Sequence, residues 1–361
     1  MNDTKNDITS FQLMAFTIAG SVGIGILSLP SILAKEIGHD GWIATLATGL
    51  VCLIVIVIIM LLLRKYANKS ILQINFLVYG KIIGFILNIF FIVYLLFITG
   101  ITVRFFVEVT QIIILKFTPV LVTTVFILGP IVYSVSKGLK VTAKLNVLIA
   151  GAYFLLLLTF LLVIHRLKFT YIMPIGKAGF LPIIKCMKTA VYSYLGFELA
   201  PLIYPNVKDK DKAFKYMILS TAITTMLFVI TVLISTMLFG EVKLSIIVFP
   251  IYSIEQSITV PVIERLDTIF ILFWYPTMAG TILSYFFSSY YSIYTLFNIK
   301  RKKMLLLVIT IIEILISRIP KNFEALNKYS TYSGNLGAIV IGTIIITFFI
   351  SLFKKEGVSS K

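Results

Sequence analysis

Gly20-Ser21-Val22-Gly23-Ile24-Gly25-Ile26-Leu27-Ser28-Leu29-Pro30 lies in the middle of the first long apolar segment. Each glycine inside a helix costs about 0.5–1 kcal/mol relative to alanine. Within a bilayer, broken backbone persists only where it is buried in protein or lines a cavity. The cluster therefore has two readings. Either it is a close helix contact, which small residues permit, or it is a break that presents bare backbone to a ligand. The rest of the chain decides between them.

The chain has 361 residues, of which 59% are hydrophobic, and a mean hydropathy of +1.03. These values exclude a soluble globular protein and indicate a polytopic membrane protein. Lys and Arg number 32 against 15 acids, for a net charge of +17. The basic residues fall in short loops between apolar runs, which is a topology signal and points away from nucleic acid. Cys52 and Cys186 have no pair spacing, and His39 and His165 are the only histidines. No cofactor, metal centre or catalytic set is expected from these residues, and the chain does not read as an enzyme. The first apolar segment is too long for a signal-peptide core, so it is expected to be a retained span.

Ten spans can be drawn: 11–33, 42–63, 82–115, 120–135, 145–164, 181–204, 214–239, 262–297, 304–319 and 333–353. With the N-terminus in the cytoplasm, the inside segments hold 19 Lys and Arg and the outside segments 11, with Arg104 and Arg265 left out as intramembrane. The bias predicts that both termini are cytoplasmic. The connection Gly240 to Pro261 has apolar patches too short to span and reads as a cap over the outer mouth.

Ten spans divide into five plus five, and span six then corresponds to span one. Span six carries Ser193-Tyr194-Leu195-Gly196-Phe197-Glu198, followed by Pro201 and Pro205. Interrupted segments at matching places in two halves point to a transporter-type binding site. An odd number of spans per half makes the repeat inverted, with halves at about 9–165 and 181–354 of a single transmembrane domain over 1–361. The two breaks then meet near the midplane. Half-helix N-termini offer N–H groups to a carboxylate and half-helix C-termini offer carbonyls to an ammonium. A zwitterionic amino acid satisfies both.

A charge in the membrane interior costs on the order of 3 kcal/mol, so each needs a reason. Glu198 follows the second break and either caps the unwound segment or changes protonation during a conformational cycle, as a gating residue would. Arg104 and Glu108 are four apart on span three, and Glu264, Arg265 and Asp267 open span eight. These five read as either a static ion-pair cluster between two long helices or an outer gate. Glu313 and Arg318 read as a peripheral pair near the outer interface. Hydroxyls on spans three and eight (Tyr94, Thr99, Thr102, Thr281, Ser284, Ser288 and Ser289) mostly bond their own preceding turn, and the few that face the breaks are candidate ligand contacts.

Several stretches together resemble a known family. They are Ile8-Thr9-Ser10-Phe11-Gln12-Leu13, Gly23 to Pro30, Gly38-His39-Asp40-Gly41-Trp42, Tyr194 to Glu198, and Glu264-Arg265-Leu266-Asp267-Thr268-Ile269-Phe270 leading to Trp274. The chain resembles spore germination proteins, in particular the B-type, permease-like subunit of nutrient germinant receptors in the amino acid–polyamine–organocation superfamily. The resemblance implies an all-α, LeuT-like 5+5 inverted repeat with broken helices 1 and 6. It implies location in the spore inner membrane and action with a larger A-type membrane subunit and a C-type lipoprotein subunit. It further implies detection of a small-molecule germinant, usually an amino acid. By position, the pocket would be formed by Ser21, Gly23, Ile24, Gly25, Tyr194, Leu195, Gly196 and Phe197, with Tyr94, Thr99, Thr281 and Ser284 from spans three and eight. The middle of span five lacks the lysine that some proton-coupled permeases of the superfamily carry there. The alternative reading is a working amino acid permease with the same pocket.

Overall fold

The computed structural model describes residues 7–257 and 267–354. Among them the secondary structure is entirely helical, with a single isolated β-bridge between Ile8 and Val207. Six stretches are long and apolar enough to cross a membrane: Gly25–Lys65, Ile71–Ile113, Leu139–Arg166, Lys210–Ile246, Phe270–Phe297 and Phe323–Phe353. Val120–Ser136 is a shorter apolar helix.

The glycine cluster is a break. Helix α1 (Ser10–Ser21) ends, Val22 and Gly23 leave helical geometry, and α2 (Ile24–Ile37) begins on a new axis. Helix α1 starts on a capping box. Thr9 Oγ1 accepts from the Gln12 amide at 3.2 Å, and Gln12 Oε1 accepts from the Thr9 amide at 2.9 Å, which satisfies two donors the helix itself leaves open. Nearly every residue of α1 is buried, as a helix at the centre of a bundle requires.

The first half continues as α3 (Gly41–Lys65), α4 (Ile71–Ile113), α5 (Val120–Ser136) and α6 (Leu139–Thr159), the last extended by a 3₁₀ turn to Arg166. Helix α4 is kinked at Gly80, whose φ is +79°. The piece before the kink folds back on the span, and Asn75 Nδ2 donates to Asn88 Oδ1 at 2.8 Å across the fold. The second half opens with α7 (Phe180–Ser193), which breaks at Tyr194–Gly196 and resumes through a 3₁₀ turn into α8 (Ala200–Ile203). Then follow α9 (Lys210–Ile246), α10 (Pro250–Ser257), α11 (Asp267–Phe297), α12 (Lys302–Ser317) and α13 (Phe323–Phe353).

Two boundaries and one side-chain placement differ from the sequence reading. Helix α13 begins ten residues earlier than Ser333, because Asn322 caps it by accepting from the Ala325 amide at 2.8 Å. A polar run in the sequence is thus the first turns of a helix. Helix α9 runs past Phe239 and turns at Gly240, where φ is +71°. Beyond it α10 buries Pro250, Ile251, Ile254 and Glu255 and packs against α2, α9 and α11. The described part of the 240–261 connection is therefore a docked cap. The expectation of a peripheral Glu313–Arg318 pair is overturned. Glu313 is fully buried against α4 at Gly100, and neither of its oxygens has a hydrogen-bond partner among the described residues.

Helices α1 and α2 form the middle of the bundle. Helix α1 packs on α6, α9 and α11, and α2 packs on α7 and α9. Trp274 is fully buried in an aromatic cluster with Phe106 at 5.4 Å and Phe270 at 5.6 Å between ring centres. Many large apolar side chains on the outer faces are exposed, Ile54 and Phe126 among them, as contact with lipid tails requires.

Candidate functional site

The two breaks touch. A Cβ placed on Gly196 would sit 2.4 Å from the Ser21 backbone nitrogen, and Gly196 also adopts φ +138°, a conformation L side chains rarely take. Only glycine fits there. Ser21 Oγ donates to the Thr17 carbonyl at 3.0 Å and to the Tyr194 carbonyl at 3.3 Å, which joins the two segments directly.

A cavity of about 520 Å³ lies beside this junction. Its buried end is formed by Gly20, Ser21, Leu195, Thr281 and Tyr285, with half-buried Gly25 beside them. Its walls add Ser28, Ser31, Thr102, Tyr192, Ser193 and, from α13, Asn327, Ser330 and Ser333. The exposed end carries Lys35, Glu36 and the segment Ile246–Val248. The charges thus stand at the mouth, where Glu36 accepts from Thr189 Oγ1 at 2.9 Å. The inner lining is hydroxyl, amide and apolar, and the mouth is on the face opposite the N-terminus.

Of the candidates read from the sequence, Ser21, Gly25, Thr102, Leu195 and Thr281 line the cavity. Gly23 does not. A Cβ there would lie 2.3 Å from Thr281 Oγ1, so this glycine allows α11 to approach the break. Thr281 Oγ1 donates to the Ala19 carbonyl at 2.7 Å, filling an acceptor that the end of α1 leaves open. Ser284 ties α11 to α1 one turn further on, donating to the Phe16 carbonyl inside α1 at 3.2 Å and accepting from Asn146 Nδ2 at 2.8 Å. Tyr194 turns away, its hydroxyl donating to the Thr45 carbonyl at 2.9 Å. Thr99 bonds back to the Leu95 carbonyl at 2.6 Å, and Phe197 is buried beyond the break. Of Ile24 only the backbone is described.

Glu198 is fully buried, and its carboxylate is the acceptor in three bonds. Tyr94 Oη donates at 2.7 Å, Tyr285 Oη at 2.8 Å and the Gly196 amide at 2.5 Å. The carboxylate thus caps the broken backbone and holds two tyrosines, one of which lines the cavity. Tyr94 reaches the site only through this network. A buried carboxylate is tolerated because its acceptor capacity is used.

Arg104 and Glu108 pair within α4 at 2.7 Å. Glu264 and Arg265 lie outside the described residues, and of Asp267 only the backbone, the first residue of α11, is described. Among the described residues no group of three or more His, Cys, Asp or Glu is arranged to hold a metal ion.

Sequence reasoning missed Tyr285, Tyr192, Ser193 and the α13 wall. The signal for the last was the run Asn327-Lys328-Tyr329-Ser330-Thr331-Tyr332-Ser333-Gly334-Asn335 ahead of an apolar segment, which reads as a loop unless its cap at Asn322 is noticed.

Broken helices that meet at a buried cavity inside a bundle define a membrane protein of the transporter-like, LeuT-fold class. Solved transporters share the fold. MhsT in complex with L-phenylalanine superposes with a TM-score of 0.69 at 14% identity, covering 95% of this chain and 89% of that one. A Na⁺-coupled sialic acid symporter gives 0.67 at 11% identity, covering 95% and 79%. The chain belongs to the spore germination protein family, whose description matches residues 7–325. Spore germination protein B2 of Bacillus subtilis (strain 168) is 25% identical over 99% of this chain and 98% of that protein. Spore germination protein GerQB of Bacillus cereus is 28% identical over 92% of each.

Proposed function

We propose that this chain is the permease-like B-type subunit of a nutrient germinant receptor. It binds a small germinant, an amino acid, in the cavity between the two broken segments. The observation that carries the reading is that cavity, enclosed by two helix breaks in a chain of the spore germination family. Helix α2 starts at Gly23 without a side-chain cap, so its first N–H groups suit a carboxylate beside Gly25. The end of α7 at Ser193 offers carbonyls that suit an ammonium. Ser21, Gly25, Leu195 and Thr281 are the proposed contacts among the residues named from the sequence, and Tyr285 joins them. Tyr94 and Glu198 support this set.

The matched breaks favour ten spans in two inverted halves, about 9–165 and 181–354. The loop charges favour cytoplasmic termini, so the cavity mouth faces outward in the spore inner membrane. An A-type membrane subunit and a C-type lipoprotein complete the receptor. Binding biases one conformation of this subunit, and the partners respond to it.

The test uses spores carrying Asn327→Trp or Thr102→Trp, which fill the cavity. Gly129→Val serves as control, because no atom lies within 4 Å of a Cβ there. Germination is followed on a panel of L-amino acids, with subunit levels checked by immunoblot. Both cavity variants are expected to raise the half-saturating germinant concentration at least tenfold while the control responds normally. A normal response from both would overturn the reading. Uptake of labelled amino acid by the chain alone in proteoliposomes would favour the permease.

A further inference from the structure

The Gly38–Asp40 turn joins α2 to α3 on the face of the cavity mouth, and the function above makes no use of it. His39 is 5% exposed and both its ring nitrogens are engaged. Nε2 lies 2.9 Å from the Pro174 carbonyl oxygen and Nδ1 lies 2.6 Å from Glu241 Oε2. The carbonyl only accepts, so Nε2 carries a proton. Glu241 Oε2 also accepts from the His39 amide at 3.2 Å, and its half-exposed carboxyl, held below the usual 4.5, stands there ionised, so Nδ1 carries a proton too. An imidazole with two acceptors is an imidazolium. Asp40 adds a second fastening, since its two oxygens accept from the Gly176 and Ala178 amides at 2.8 Å each. One turn thereby holds two other segments, the loop ahead of α7 and the stretch just past the Gly240 kink. The latter leads within a few residues into Ile246–Val248 at the cavity mouth.

We propose that doubly protonated His39 is a latch that holds the 241–257 cap segment over the cavity mouth, and that its deprotonation frees this segment. A neutral ring keeps one proton and so loses either Pro174 or Glu241 as partner, placing a lone pair against an acceptor. The charged groups around the ring are Asp40, 4.0 Å from Nε2 on its own turn, Glu241 from α9, and Lys177 from the loop ahead of α7, which acts on Glu241. Helix α2 contributes Lys35 and Glu36, which face the cavity, and the carboxyl of Glu255 on α10 is taken by Thr159.

Burial pulls the His39 pKa down, but the bonds to Pro174 and Glu241 outweigh it and leave the value above the usual 6.5. The bond from His39 holds Glu241 below the usual 4.5. The latch is therefore closed between those limits and is lost as pH rises through the raised histidine value.

The latch does not depend on which ligand the cavity takes, and its test needs none. The full chain is reconstituted in nanodiscs with ¹⁵N-histidine. His165→Gln leaves a single histidine signal, which is expected to report two ring N–H groups at pH 6 and to titrate above 6.5. In Glu241→Gln the titration is expected to move down. Spin labels at Val248 of the cap segment and Asn327 of α13, both on the cavity lining, are expected to give a narrow distance distribution at pH 6 that broadens at pH 8.5. His39→Gln is expected to give the broad distribution at both. A single ring proton at pH 6, or a distribution unchanged by both pH and His39→Gln, would overturn the proposal. The NMR measurement stands even if His39→Gln does not fold.

Discussion

The Glu198 carboxylate gives the most quantitative handle on the site. Replacing it with alanine removes the acceptor of three buried donors, the Tyr94 and Tyr285 hydroxyls and the Gly196 amide. A buried donor left without a partner costs about 1–3 kcal/mol, so the loss is about 3–9 kcal/mol before any relaxation. That is comparable to the whole stability of an ordinary domain, about 5–15 kcal/mol. Glu198→Gln keeps the shape and one oxygen. With its oxygen kept toward the two tyrosines, the amide NH₂ stands against the Gly196 N–H and one bond is lost, or about 1–3 kcal/mol, whereas the opposite orientation loses both tyrosine bonds. Tyr285→Phe removes one donor and leaves the acceptor with two partners. Thermal unfolding in nanodiscs, followed by tryptophan fluorescence, should rank Glu198→Ala lowest by several degrees, with Glu198→Gln and Tyr285→Phe between it and the parent. Glu198→Ala with Tyr285→Phe should cost less than the sum of the two, since removing both partners leaves one orphan fewer. A Glu198→Ala protein as stable as the parent, or strict additivity in the double variant, would refute the reasoning.

Other expectations concern the break and the cap. Gly196→Ala should prevent accumulation of folded protein, because the methyl meets Ser21 backbone and the φ of +138° is strained for alanine; size-exclusion chromatography of the purified chain checks this. Gly25→Val should perturb the junction locally, since a Cβ there meets Ser193 at 2.5 Å; a germination response retained with normal subunit level would contradict it. Burial pushes the Glu255 carboxyl up to about 7, against the bond from Thr159. A raised carboxyl contributes its stability below the ordinary value of 4.5 and loses it as pH rises through about 7. Hydrogen exchange in α10 should therefore quicken between pH 5 and 8 after correction for the intrinsic rate, and Glu255→Gln should remove that change.

Much of the frame was legible because membrane spans are written in apolar length. Both breaks announced themselves as well, since glycine and proline inside an apolar run have few uses. What the sequence could not resolve was rotation. Gly23 and Gly25 look alike in the chain, yet one admits Thr281 of α11 and the other admits Ser193 of α7 and borders the cavity. Thr281 and Ser284 stood out as polar groups in a span. Both bond carbonyls of α1, and the demand that Thr281 meets at Ala19 exists only once α1 has ended early. Tyr285 was passed over because a tyrosine among aromatics reads as packing, and its role depends on Glu198, 87 residues away. The burial of Glu313 is likewise a matter of rotation, since its face is set by contact with Gly100 of α4.

The strand-like pairing at the start of the chain has a mechanical consequence. Ile8 N–H donates to the Asn206 carbonyl and the Ile8 carbonyl accepts from Lys208 N–H, both at 3.0 Å, while the Ser10 amide donates to Asp209 at 2.7 Å. The near end of α1 is thus stitched to the chain leaving α8, and its far end meets Gly196. Joined at both extremities, α1 and the 197–206 stretch form one lever arm. A force applied to either at the N-terminal face is transmitted to the floor of the cavity through both. The Ile8–Lys208 stitch is therefore the point on that face where the positions of both breaks are tied together.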